Sequence, residues 1–225
     1  MPRTARTTEA EMVYHVLNRG NGRMRLFRKP GDYEAFEKVL AEGIERYAVE
    51  LLTYCIMPTH FHLVVRPKTD KALGQWMGWV GVTHVRRHHE RYHSRGGGHL
   101  YQSRFKSFPV SEDEHFLMLG RYVEANALRA KLVERAEQWQ WSGLWRRLHR
   151  APGLRLSPWP VDRPRGWVES VNAAMPKEQL DALRECVQRG RPFGSAAWVK
   201  TTAARLGLGF TLRGPGRPRK VIEIQ

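Results

Sequence analysis

Cysteine is scarce in this chain: Cys55 and Cys186 are the only two, and their spacing does not fit a metal site. Two isolated thiols predict reduced cysteines in a cytoplasmic protein. Because no apolar run reaches about 18 residues, no membrane span is expected. The opening residues, MPRTARTTEAEMVYHV, have no apolar signal-peptide core, which argues against secretion. The GxxxxGK[ST] phosphate loop is also missing, so no nucleotide cofactor is expected.

Acidic residues are few relative to basic ones. The chain has 22 Asp and Glu against 38 Lys and Arg, which gives a formal net charge of +16. Such an excess favours a polyanionic partner, since Lys and Arg displace the counterions condensed on phosphate backbones. Nucleic acid is therefore the predicted partner. The alternatives are a basic protein without such a partner and a membrane-surface binder.

The apolar periodicity predicts the element order β-α-β-β-α-β followed by a further helix. Strands are expected at 12–20, 49–57, 61–67 and 103–110, and helices within 31–48 and 71–92. The Pro58-Thr59 turn should join the second and third strands as a hairpin. This order is that of a ferredoxin-like α+β fold, with an antiparallel sheet and two helices on one of its faces.

Two further predictions concern the second half of the chain. Ser111 and Glu114 have capping-box spacing, so the helix after the fourth strand should begin at Ser111. We expect a catalytic domain at 1–131 and a Trp- and Arg-rich, irregular to helical extension at 132–225, with helices at 176–190 and 195–207. The final RGPGRPRK resembles basic hooks that lie in A·T-rich minor grooves, and it contributes three candidate DNA-binding residues, Arg217, Arg219 and Lys220.

Candidate chemistry lies in the third strand. His60 and His62 in MPTHFHLVVRP are two residues apart, so on a strand they project from the same face. Such a pair can hold one metal ion, or it can be two structural histidines, and the spacing alone leaves both open. In the helix after the fourth strand, Tyr122, Asn126 and Arg129 share one stripe. A tyrosine there is more often a packing residue than a nucleophile.

Several motifs in order carry a resemblance to a known family. These are YHVLNRGN, IMPTHFHLVV, LYQSRFKSF, RYVEANALRAKLV, WQWSGL and GRPFGSAAWV. Together they resemble the HUH single-tyrosine transposases and, more narrowly, the REP-associated tyrosine transposases. The resemblance implies that Tyr122 attacks a DNA phosphodiester to form a 5′-phosphotyrosine, with His60 and His62 as metal ligands.

The resemblance leaves the third metal ligand open. Asn126 is the candidate, although Ala127 follows it where REP-associated members usually have proline, and Glu124 or a water could substitute. The metal is expected to be Mg²⁺, which prefers oxygen ligands, or Mn²⁺, which suits imidazole better.

The implied substrate is single-stranded DNA beside a palindromic hairpin. Basic residues near the expected site are candidate phosphate contacts: Arg19, Arg104, Lys106, Arg129 and Lys131. The protein is expected to be nucleoid-associated, and a monomer or a homodimer. Three rivals remain: a repeat-binding protein without catalysis, a replication-initiator or relaxase nickase, and a metal hydrolase acting on a small molecule.

Overall fold

A four-stranded antiparallel sheet lies at the centre of the computed structural model, which describes residues 7–94, 96 and 98–213. The strands are β1 (Val13–Arg19), β2 (Val49–Met57), β3 (His60–Pro67) and β4 (Lys106–Val110). The helices are α1 (Pro30–Arg46), α2 (Ala72–Arg91), α3 (Glu114–Glu124), α4 (Asn126–Arg129), α5 (Gly143–His149), α6 (Trp167–Asn172), α7 (Lys177–Arg189) and α8 (Ala196–Arg205). None of these helices combines the length and apolar character needed to cross a bilayer.

The predicted ferredoxin-like topology is confirmed. The sheet order is β2-β3-β1-β4, and every neighbouring pair is antiparallel. The two residues Pro58 and Thr59 join β2 to β3, so the expected hairpin is present. The two-residue connection makes β2 and β3 antiparallel neighbours, while α1 and α2 form the longer connections between strands.

The two faces of the sheet have different coverings. In β3, Phe61, Leu63 and Val65 point into a core that α1 and α2 complete. Alternation along the strand places His60, His62 and Val64 on the opposite face, where Val64 packs with residues of α3 and α7. The face bearing the histidines is therefore covered by elements that follow β4.

The start of α3 differs from the prediction. Asp113 caps the helix by accepting a 2.8 Å hydrogen bond from the backbone N–H of His115. Ser111 instead remains with the edge strand, where its backbone N–H donates to the carbonyl of Phe193 at 2.9 Å. Its hydroxyl donates to the Asp113 carboxylate at 2.7 Å. The capping-box prediction was wrong because an aspartate two residues on is the better-placed acceptor.

The C-terminal extension covers both outer strands of the sheet. Along β2, the N–H of Ile56 donates to the carbonyl of Trp141 at 2.9 Å, and Ser142 bridges Cys55. Along β4, the N–H of Phe193 donates to the carbonyl of Pro109 at 2.9 Å. The two helices expected in the extension are confirmed as α7 and α8. The domain boundary after residue 131 stays a prediction.

A buried polar network ties the extension to the first helix. Arg146 of α5 forms an ion pair with Glu37 of α1 at 2.5 Å, and its Nε donates to the hydroxyl of Tyr54 at 2.9 Å. The Tyr54 hydroxyl donates to the second Glu37 oxygen at 2.5 Å. Removing one member would leave the others buried without a partner, which is costly, so α5 is held firmly against the core.

Candidate active site

The two strand histidines and the helix tyrosine meet in one cavity of about 290 Å³. It lies between the sheet, at the end of β1 and the start of β3, and the helices α3, α4 and α7. Its lining consists of Leu17, Arg19, Met57, His60, His62, Tyr122, Asn126, Arg129, Ala130, Arg184 and Val187. The structure thus brings together six residues that the sequence singled out. Four are the predicted catalytic and metal-binding residues, and the other two, Arg19 and Arg129, are predicted DNA-binding residues.

Hydrogen bonds occupy the same nitrogen of each imidazole. Nδ1 of His62 lies 2.8 Å from Nε2 of His15, and Nδ1 of His60 lies 3.0 Å from the hydroxyl of Thr59. The ring centroids of His60 and His62 are 5.1 Å apart, and their planes are nearly perpendicular. Nε2 of each ring is therefore the atom available to a metal ion.

Burial keeps these imidazoles neutral. Desolvation lowers the pKa of His60 to about 4, with a further contribution from the nearby Arg19 charge. Desolvation also holds the pKa of His62 well below its usual range, and the surrounding positive groups act in the same direction. Neutral imidazole is the form that binds metals. Two neutral imidazoles, an amide oxygen and water therefore fit a divalent ion such as Mn²⁺.

Tyr122 projects from α3 toward His62. Its side chain is 8% exposed, and its ring centroid lies 5.9 Å from that of His62 in an edge-to-face arrangement. The guanidinium of Arg129 stacks 4.2 Å above the phenol ring and donates to the backbone carbonyl of Tyr122 at 2.7 Å. Arg129 therefore restricts the orientation of Tyr122 through two contacts, one with the ring and one with the backbone carbonyl.

Asn126 and Glu124, the two protein candidates for a third metal ligand, differ in location. Asn126 lines the cavity, and its Oδ1 accepts a 2.9 Å hydrogen bond from Arg129. Glu124 does not line it. The Glu124 oxygens accept hydrogen bonds from Thr53 at 2.6 Å and from the Trp167 indole at 2.7 Å. The geometry thus favours Asn126 over Glu124, although Arg129 would have to share or release the amide oxygen.

The charge around the cavity is positive. Arg19, Arg129 and Arg184 line it, and no carboxylate occurs among its lining residues in the described part of the chain. Desolvation lowers the pKa of Arg129, and the nearby Arg184 charge adds to that effect. Arg184 also pairs with Asp181, which does not line the cavity, at 3.3 Å. Converging guanidiniums in a lining without carboxylates form a favourable binding site for a phosphate group.

The remaining predicted DNA-binding residues lie outside this cavity. Arg104 lines a separate and larger cavity of about 910 Å³ beside α2. Lys106 is exposed on β4 opposite Leu17, and Lys131 is exposed just after α4. Arg217, Arg219 and Lys220 lie outside the described residues.

Two residues at or beside the cavity were not predicted from the sequence. Alternation along β1 places His15 on the same face as Leu17 and Arg19, so the strand pattern could have revealed it. Arg184 lies about 60 residues beyond Tyr122 in α7, on a helix whose periodicity is ordinary. Only the tertiary fold brings Arg184 to the cavity.

A separate acidic and histidine cluster lies at the start of α3. Asp113, Glu114 and His115 have potential ligand atoms within 4.8 Å of one another. However, Asp113 already accepts from the backbone of His115 as the α3 cap, and its carboxylate lies 2.7 Å from Nδ1 of the same histidine. The group is explained by helix capping.

Comparison with known proteins decides the family. A family model described as "Transposase IS200 like" matches residues 8–126, more than half of the 225 residues. The chain belongs to the IS200-like transposase family. The matched region of this transposase contains His60, His62, Tyr122 and Asn126, but not Arg129 or Arg184.

Solved structures support the fold of the transposase. A REP-associated tyrosine transposase bound to a REP hairpin matches with a TM-score of 0.54 and 16% identity, covering 72% of this chain and 95% of that chain. A candidate transposase from Deinococcus radiodurans R1 matches with a TM-score of 0.40 and 16% identity, over 55% of this chain and 96% of that chain. The second score is too low to carry an argument. No curated protein sequence matches the chain.

Proposed function

We propose that this transposase is a metal-dependent endonuclease and strand transferase for single-stranded DNA, acting beside palindromic repeat hairpins through a 5′-phosphotyrosine intermediate. One observation carries the proposal. A phenol, two neutral imidazoles and three guanidiniums line the same cavity. That combination suits a phosphodiester substrate, because the guanidiniums attract the anion and the phenol is a nucleophile.

The metal would be held by Nε2 of His60 and of His62, with the amide oxygen of Asn126 as the candidate third ligand. When bound there, a divalent ion would polarise the scissile phosphate and stabilise the departing oxygen. Met57 and Leu17 provide an apolar wall beside the histidines. This wall lowers the local dielectric and strengthens the electrostatic interactions within the cavity.

In the transfer step, the Tyr122 oxygen forms a bond to phosphorus while the bond from phosphorus to the 3′-oxygen breaks. The phenol proton is lost to solvent, and the departing oxygen takes up a proton to become a 3′-hydroxyl. Arg129 holds the ring in place during this exchange. Because one phosphodiester replaces another, a second 3′-hydroxyl can reverse the step without ATP.

Hairpin DNA is the proposed partner. The solved REP-associated tyrosine transposase with the same fold is bound to a REP hairpin. The net charge of +16 suits such a partner. We propose that unpaired DNA at the foot of a hairpin enters the arginine-lined cavity while basic residues elsewhere contact the stem.

Covalent capture of DNA tests the proposal. Single-stranded hairpin DNA from palindromic repeats, labelled at its 3′ end, is incubated with the protein and Mn²⁺ or Mg²⁺ and separated on a denaturing gel. The wild type should form a labelled adduct, and Tyr122→Phe should form none while binding DNA within about threefold of wild type. Tyr47→Phe is the matched control, because Tyr47 packs against Trp79 away from the cavity and should leave the adduct intact.

The same experiment distinguishes the proposed function from the three alternative functions. A wild type that binds the hairpin but forms no adduct with either metal would indicate a repeat-binding protein and refute the proposal. Hydrolysis of a small phosphodiester without an adduct would favour a metal hydrolase. A nickase would form the adduct on DNA lacking a hairpin as readily as on hairpin DNA.

A further inference from the structure

A third histidine lies behind the proposed metal ligands and has no role in the mechanism so far. His15 of β1 is fully buried, and its Nε2 lies 2.8 Å from Nδ1 of His62. The two rings meet edge to edge and are nearly coplanar, with centroids 5.0 Å apart and planes 13° from parallel. Phe108 also packs against the His15 ring, with ring centroids 4.8 Å apart. The His15 ring is therefore fixed relative to His62.

The contact between two neutral imidazoles allows two proton arrangements. In one, Nδ1–H of His62 donates to Nε2 of His15, and Nε2 of His62 keeps its lone pair for a metal ion. In the other, Nε2–H of His15 donates to His62, whose own proton then sits on Nε2 and blocks that atom. The first arrangement alone is compatible with metal binding, and it needs an acceptor at the place where His15 has Nε2.

Packing alone does not account for a histidine at this position. Nδ1 of His15 is buried and has no hydrogen-bond partner within the described part of the chain. An unsatisfied buried polar atom costs about 1–3 kcal/mol. The neighbours Phe108 and Val64 would accept an aliphatic side chain of similar size. The contact with His62 therefore explains why this position has a histidine and not an aliphatic residue.

We infer that His15 is a positioning residue that orients His62 and fixes the tautomer whose Nε2 binds the metal ion. The inference rests on the proposed function, because it assigns His62 as a ligand. His15 does not touch the ion or the DNA. Its contribution is to supply the hydrogen-bond acceptor behind the ligand, as carboxylates and carbonyls do at other metal-bound histidines.

Metal affinity without DNA tests this role. Free Mn²⁺ is measured by electron paramagnetic resonance during titration of the DNA-free protein. His15→Leu, which removes the acceptor, should weaken Mn²⁺ binding by about 10–100-fold. His15→Gln, whose amide oxygen can take the place of Nε2, should bind within about threefold of wild type. His84→Leu is the matched control, because His84 is also buried but belongs to α2, which covers the other face of the sheet, and should leave Mn²⁺ affinity unchanged.

A spectroscopic readout covers the case in which His15→Leu does not fold. Nitrogen-15 spectra of the wild type loaded with diamagnetic Zn²⁺ should show the His62 proton on Nδ1 and the His15 proton on Nδ1. Unchanged Mn²⁺ affinity in His15→Leu, or a His62 proton on Nε2 in the loaded protein, would overturn the inference alone. If wild type and His60→Ala both fail to bind Mn²⁺, the metal site of the proposed function fails as well.

Discussion

At the scale of single residues, Asn126 can be distinguished from Glu124 as the third metal ligand. Asn126→Ala should weaken Mn²⁺ binding by about tenfold, because Asn126 is the only residue with a side-chain amide among the described residues that line the cavity. Glu124→Gln should leave Mn²⁺ binding unchanged, since Glu124 is engaged by Thr53 and Trp167 outside the cavity. Isothermal titration of both variants measures the difference.

The opposite ranking in that titration would assign the ligand to Glu124 and require a rearrangement of α3. Glu124 is only 1% exposed, and this burial raises the pKa of its carboxyl group. Equal affinity in both variants and in wild type would leave water as the third ligand. Thermal unfolding of each variant is the control for damage to the fold.

Some of the site could be predicted at this scale, and some could not. His60 and His62 are two residues apart on a strand, so their common direction follows from backbone geometry. Tyr122 and Asn126 are four residues apart, so helical spacing brings them together. The contact of His15 with His62 depends on which residues of β1 and β3 lie opposite each other, and strand alternation alone does not give that pairing. The Arg129 hydrogen bonds depend on rotamers, which sequence does not show.

At the scale of elements, α7 is the part of the C-terminal extension that lines the candidate active-site cavity. Its Leu183 and Cys186 pack in the core beneath α3, which turns Arg184 and Val187 toward the cavity. The Arg184 side chain is 61% exposed and pairs with Asp181 at 3.3 Å. An exposed ion pair of this kind contributes little to stability, so the guanidinium is available to a DNA phosphate.

Arg184→Ala should therefore weaken binding of single-stranded DNA about fivefold and lower the slope of log affinity against log salt by about one. Fluorescence anisotropy at several salt concentrations measures both. Arg189→Ala on the same helix is the control, because Arg189 pairs with Glu185 and does not line the cavity. An identical loss in both variants would mean that only the net charge matters.

Most strands and helices could be predicted, because their apolar residues recur at clear strand or helix spacing. The four strands and two core helices lie where alternation and helical spacing placed them, within a few residues. The start of α3 was missed since competing acceptors, Ser111 and Asp113, lie two residues apart, and tertiary pairing of Ser111 with Phe193 decides between them. Such long-range competition is invisible in a local motif.

At the scale of the whole molecule, the basic tail should act on affinity more than on chemistry. The predicted hook residues Arg217, Arg219 and Lys220 lie outside the described residues. Truncation after Arg213 should weaken hairpin binding about tenfold and leave the rate of adduct formation on saturating DNA within about twofold. Single-turnover cleavage and gel-shift titration measure the two quantities separately.

The triple variant Arg217→Ala, Arg219→Ala, Lys220→Ala keeps the chain length and is the matched control for the truncation. It should reproduce most of the loss if charge is responsible. Equal hairpin affinity in the truncated and full-length proteins would contradict the assignment of the tail to the stem.

The covering of both outer strands also has a consequence for biosynthesis. Residues 139–142 cover the outer edge of β2. The outer edge of β4 is covered only after Phe193 has been synthesised and has left the ribosome. Until then the nascent polypeptide carries an open row of N–H and C=O groups, to which another unfinished chain could add. Slow translation between these two points would therefore expose the growing protein to aggregation.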